Sequence, residues 1–124
     1  MLFNQQLKTF IPTVKLAEAK EFYRDVLGLA LLSEDDYAME FNANGALLRV
    51  ASVPPFTPQA FTVLGWNVED IISTINSLNS KGIFCEIYSF LPQNELGIWV
   101  SPDASQVAWF KDPDGNILSL TQLS

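Results

Sequence analysis

The sequence contains no histidine and a single cysteine, Cys85. The first absence removes the commonest near-neutral acid/base group and the commonest imidazole metal ligand. The second excludes an intramolecular disulfide and a cysteine-based zinc cluster within one chain, and it fits a reducing cytoplasm, the expected location. Cations are also scarce. Seven Lys and Arg face 14 Asp and Glu, for a net charge of −7, with five excess acids in positions 56–124 and two in positions 1–55. That balance opposes a phosphate backbone, so no nucleic-acid partner is expected. It suits a cationic ligand, although many proteins are acidic simply because charge opposes aggregation. No stretch approaches the roughly 18 consecutive apolar residues of a membrane span, and the opening MLFNQQLKTF lacks a basic region followed by an apolar run. Neither a membrane partner nor export is expected. What the chain does have is 124 residues, 48% of them hydrophobic, enough for one domain with a substantial core.

Two stretches of the chain share one grammar. Leu7–Thr13 alternates and carries β-branched residues, with Pro12 suited to a strand edge, so it predicts a first strand. From Leu16 to Leu27, the positions Leu16, Ala19, Phe22, Tyr23, Val26 and Leu27 recur at helical spacing, and Gly28 follows where a left-handed residue can close the helix. Strands are then expected at Leu29–Leu32, around Tyr37, Met39 and Phe41, and at Ala46–Ser52 after the Asn44-Gly45 turn. Val53–Pro58, with three prolines, reads as a stiff connection. Beyond it the order returns: a strand over Ala60–Val68, a helix with the stripe Ile71, Ile72, Ile75 and Leu78, and Gly82 at its end. Val14 and Val68 precede the helices and Gly28 and Gly82 follow them, each pair 54 positions apart. Further strands are expected at Ile83–Tyr88, Gly97–Ser101, Gln106–Lys111 and Asn116–Gln122, with the loop Ser89–Glu95 breaking the symmetry. Asp112-Pro113-Asp114-Gly115 is turn chemistry, in which Asp bonds local backbone groups, rather than a catalytic carboxylate pair.

Phe22-Tyr23-Arg24-Asp25-Val26-Leu27-Gly28-Leu29 and Phe110-Lys111-Asp112-Pro113-Asp114-Gly115-Asn116 resemble the two best-known signatures of the vicinal oxygen chelate superfamily, which includes glyoxalases, bleomycin resistance proteins and extradiol dioxygenases. The resemblance implies an α+β fold of two tandem βαβββ modules, forming a curved, cup-like mixed sheet with a helix on each half. One domain, 1–124, is expected, with a first half over about 5–52, a linker at 53–58 and a second half over about 59–124. It also implies a homodimer. Metal-dependent relatives place His, Glu or Gln ligands on the first and last strand of each half, where this chain has Lys8, Arg49, Val63 and Ser119. Two are cations, one has no donor atom and one is a lone neutral hydroxyl, so no metal and no cofactor are expected. Metal-assisted glyoxalase or dioxygenase chemistry is not expected on the same ground.

Regular alternation places Leu47, Arg49 and Ala51 on one face, Ile117, Ser119 and Thr121 on another, and Val63 with Phe61 and Gly65. Trp66 then belongs to the core beneath a helix, whereas Trp99 and Trp109 are candidates for an aromatic wall. The expected ligand-binding set is Lys8, Leu47, Arg49, Val63, Gly65, Trp99, Trp109, Ser119 and Thr121, with no catalytic residue. Lys8 and Arg49 can hold a carboxylate or phosphate, or can pair with nearby acids. The functional expectation is a metal-free small-molecule binding protein, sequestering an antibiotic or other aromatic ligand. The alternative is a metal-independent lyase or isomerase, with Glu40, Glu86 or Lys8 as acid/base and Arg49 facing a developing oxyanion. A third possibility is an interaction module with no ligand. Cys85, between Phe84 and Glu86 and close to Ile87, reads as an inert core thiol.

Overall fold

In the computed structural model, which describes residues 1–124, the chain divides into two compact units, Met1–Thr57 and Pro58–Ser124. Each unit is a βαβββ module in which one helix accompanies a four-stranded mixed sheet. The fold is therefore α+β, as the repeated grammar implies. Neither helix is long and apolar enough to cross a membrane.

The first unit runs β1 Lys8–Thr13, α1 Leu16–Lys20, β2 Ala30–Glu34, β3 Ala38–Ala43 and β4 Ala46–Ser52. Its strand order is β1-β4-β3-β2, with β1 parallel to β4 and β3 antiparallel to both of its neighbours. The period of two sorts the side chains: Ile11, Met39, Phe41, Leu48 and Val50 are buried with Ala19, Phe22 and Tyr23, while the alternate positions form an open face. Each large apolar side chain fully buried in this way contributes about 1.5–3 kcal/mol. Asn44 and Gly45 take φ of 51° and 97° between the paired Ala43 and Ala46, the left-handed geometry of a two-residue hairpin turn.

The helix expected over Leu16–Leu27 changes character halfway. After Lys20 the chain widens into a π-helical segment, Glu21–Val26, and the Leu27 N–H donates to the Phe22 carbonyl at 2.9 Å. The adjacent Phe22 and Tyr23 rings both lie in the core, edge to face at 5.0 Å. A wider turn gives two neighbouring bulky rings room on one side of the helix, which a regular 3.6-residue repeat does not. Gly28, at φ 77°, closes the segment as its position predicts.

The second unit runs β5 Thr62–Asn67, α2 Ile71–Ser80, β6 Trp99–Val100, β7 Gln106–Lys111 and β8 Ile117–Gln122, in the order β5-β8-β7-β6. The Asp70 carboxylate caps α2 by accepting from the Ser73 N–H, and the Gln122 side chain accepts from the Ile71 N–H at 2.9 Å. Ile71, Ile75 and Leu78 are buried together with Ala108, Phe110, Leu118 and Leu120. Trp66 pairs with Leu120 and is half-buried rather than fully enclosed.

Two expected strands differ in this unit. Ile83–Tyr88 is not a strand, and of Gly97–Ser101 only Trp99–Val100 pairs with β7. One backbone bond ties the first of them to the sheet, from the Glu86 N–H to the Trp109 carbonyl at 2.7 Å. The cause is a side chain. Gln93 donates from Nε2 to the carbonyls of Glu86 and Gly97 at 3.0 and 2.8 Å, and its Oε1 accepts from the Tyr88 N–H at 2.7 Å. An amide thus takes the backbone groups that a ladder would have used. The Asp112 turn is structural, as expected: its Oδ1 accepts from the Asp114 and Asn116 N–H groups and its Oδ2 from the Asn116 side chain, with both residues buried.

Candidate functional site

The first unit brings its three expected site residues to the open face of one sheet. Lys8 pairs in register with Leu47 and Phe10 with Arg49, while Arg49 also pairs with Glu40 on the far side. Lys8 Nζ and Arg49 Nη1 both reach the same carboxylate oxygen, Glu40 Oε2, at 2.9 Å. Pairing with a nearby acid is thus realised for both cations. Hydrogen bonding to Lys8, then to Arg49, holds the Glu40 carboxyl below its ordinary value, so it is ionised at neutral pH. Glu40, an acid/base candidate from the sequence, is instead the partner of both cations. The cross-strand register was the missing information.

The second unit gathers aromatic rings. Trp99 and Trp109 lie 6.1 Å apart with planes tilted by 32°, which brings the two expected wall residues together. Tyr88 meets Trp109 edge to face at 5.7 Å, and Phe90 meets Tyr88 at 5.4 Å, so four rings form one continuous row. Beside Tyr88, Phe90, Trp109 and Ile117 a hollow of about 170 Å³ opens against Phe61 and Thr62. A wider hollow of about 500 Å³ shares Tyr88, Phe90 and Ile117 and reaches Lys111 and Gly115. Tyr88 and Phe90 were not foreseen, because they lie in a segment without strand alternation. Gln93 is the residue that pins it.

The remaining expected residues divide. Ser119 pairs with Gly65 and with Trp109, and Thr121 pairs with Asn67 and Val107, on the alternate positions of β8 that the core does not use. A Cβ at Gly65 would meet the Ser119 hydroxyl, which would have to rotate away, so the two residues face each other closely across β5 and β8. Val63 departs from expectation. The β5–β8 register shifts between Thr62 and Leu64, so regular alternation fails at Val63, and Thr62 takes the place beside Trp109, whose indole N–H donates to its hydroxyl at 3.0 Å.

These residues do not fit a metal ion. Lys8 and Arg49 are cations already engaged by one carboxylate, Val63 has no donor atom, and Ser119 offers one neutral hydroxyl. Elsewhere, Glu86 pairs with Lys111 at 3.4 Å. Burial, then the Glu86 charge, pushes the Cys85 thiol up to about 11, which keeps it protonated and unreactive at neutral pH.

Comparison with solved structures gives full-length likeness. A bleomycin resistance determinant encoded on the transposon Tn5 is 20% identical, with a TM-score of 0.75 over 98% of this chain and 99% of that one. An antibiotic binding protein from Streptomyces sp. CB03234 is 24% identical, with a TM-score of 0.73 over 100% of this chain and 99% of that one. Lactoylglutathione lyase from Agrobacterium tumefaciens is 16% identical, with a TM-score of 0.75 over 96% of this chain and 93% of that one. At these identities the likeness is one of fold. No curated protein matches the sequence. A family model, by contrast, covers residues 5–120, and on that match the chain belongs to the Glyoxalase/Bleomycin resistance protein/Dioxygenase superfamily.

Proposed function

We propose that this chain is a metal-free small-molecule binding protein of the glyoxalase/bleomycin-resistance type, holding an aromatic ligand such as an antibiotic. The observation that carries the reading is the row Phe90, Tyr88, Trp109 and Trp99 beside an apolar hollow. A planar ligand gains stacking there at little entropic cost, because rings that already touch have few rotamers left to lose. Lys8, Leu47 and Arg49 on the first unit's sheet, and Val63, Gly65, Ser119 and Thr121 on the second unit's, are each proposed as ligand-contacting positions of their own unit. A homodimer belongs to the same reading, since the family resemblance implies clefts built by two chains; sedimentation of the purified protein tests it.

The alternative, a metal-independent lyase or isomerase, has less support. Glu40 is held ionised by two cations, which weakens it as a base and bars it as an acid near pH 7. Glu86 is paired with Lys111.

The test is tryptophan fluorescence during titration with bleomycin and with neutral naphthalene derivatives. Saturable quenching is expected, and Trp109→Ala should remove most of it and weaken binding about three- to tenfold. No quenching by any member of a broad aromatic panel sinks the proposal.

A further inference from the structure

The chain has only seven Lys and Arg, yet two of them stand side by side on the open face of the first sheet. Like charges on adjacent strands repel, so this placement requires compensation. Glu40 supplies it, but one carboxylate leaves the trio with one excess positive charge. The other open positions on these strands, Phe10, Pro12, Leu47, Ala51 and Asn42, carry no charge, and neither does the buried Ala38 beside them. Asp35 also feels Arg49, though weakly, and spends its Oδ1 on the Tyr37 and Ala38 N–H groups. A locally positive face therefore sits on an acidic protein. Only Nη1 of the Arg49 guanidinium is used, and no protein group takes its other N–H donors.

From this geometry we propose that Lys8 and Arg49 form a binding site for one oxyanion, a carboxylate or phosphate on a small molecule, with Glu40 as the built-in anion that competes with it. The guanidinium fork and the ammonium are both half-exposed, so an oxyanion can reach them without unfolding the sheet. Phe10, 61% exposed and with its ring 6.0 Å from Lys8 Nζ, gives an attached apolar group a surface beside the charge. The inference rests on the small-molecule reading and adds, on the first unit, a preference for molecules carrying a negative group, against the cationic ligand that net charge alone suggests.

The test is an NMR titration of the full chain with benzoate and, separately, with inorganic phosphate, following the amides of Lys8, Phe10 and Arg49 and the Arg49 side-chain N–H. Saturable shifts with either anion are expected, weakening as salt is raised. Tighter binding of benzoate identifies a carboxylate with a ring on Phe10, and tighter binding of phosphate identifies a phosphate. Glu40→Gln removes the competitor and should tighten binding about tenfold, which equals about 1.4 kcal/mol, whereas Arg49→Gln should abolish it. Absence of saturable shifts in both the wild type and Glu40→Gln overturns the site. Equal affinity of wild type and Glu40→Gln overturns the competing role of Glu40. Quenching by neutral naphthalenes that persists while both anions fail would sink this inference and leave the aromatic-binding proposal standing.

Discussion

Replacing Gln93 with Ala tests whether one side chain holds the aromatic row in place. Gln93 makes three hydrogen bonds to backbone groups of its own loop, at 2.7, 3.0 and 2.8 Å, and it is half-buried. A typical internal bond contributes about 0.5–1.5 kcal/mol net. Water can replace part of what is lost, so the lower half of the summed range applies, about 2 kcal/mol. With an unfolding entropy near 2.1 cal/mol/K per residue, that loss lowers Tm by roughly 8 °C for a chain of this length. Because Tyr88 donates its N–H to Gln93, the same change frees the Tyr88 amide and loosens the ring against Trp109. Thermal unfolding monitored by tryptophan fluorescence gives Tm, and amide hydrogen exchange reads Tyr88 directly. Gln93→Ala should also weaken any aromatic ligand that quenches Trp109. A Tm within about 1 °C of wild type, together with unchanged Tyr88 protection, would show that the loop is held by other contacts and refute the reasoning.

Ala104 sits at φ 70° in the turn where the Ser101 N–H donates to the Ser105 carbonyl and the Ala104 N–H to the Ser101 carbonyl, so Ala104→Gly should relieve left-handed strain and raise stability by about 0.5–1 kcal/mol in thermal melts. Hydrogen bonds to Lys8 and Arg49 hold the folded Glu40 carboxyl below its ordinary value of 4.5, so its stabilisation is present above that pH and is lost as pH falls through the lower folded value. The Tm gap between wild type and Glu40→Gln should therefore be constant from pH 7 to about 5 and close on further acidification; a gap that widens in acid contradicts the sign. Cys85, pushed up to about 11, should react with a thiol reagent at pH 7.5 more than about 100-fold slower than an unperturbed thiol, and rapid labelling of the native chain would contradict its burial.

Much of the local order was legible in the residues. Alternation in β1, β3 and β4, the Asn44-Gly45 hairpin, the glycines that end both helical segments, and the Asp112 turn all depend on interactions within a few residues, which a linear pattern records. The second half was less legible. Ile83–Tyr88 has strand-like composition, but whether a segment joins a ladder is decided by what else can take its backbone groups, and here Gln93 does. The bulge at Val63 is of the same kind, since only the pairing of β5 with β8 shows that Thr62 stands beside Trp109. In the π-helical segment Glu21–Val26 the adjacent Phe22 and Tyr23 were legible, yet the widened turn in which both are buried, with Tyr23 against Phe41, is a matter of packing.

By itself, then, the sequence determined the two-module class and the unfitness of Lys8, Arg49, Val63 and Ser119 for a metal, because residue chemistry does not depend on placement. Tertiary structure alone decided which carboxylate answers the two cations and which rings join Trp99 and Trp109. Both are contacts between strands or loops distant in the chain, set by register and hydrogen-bond competition rather than by local preference.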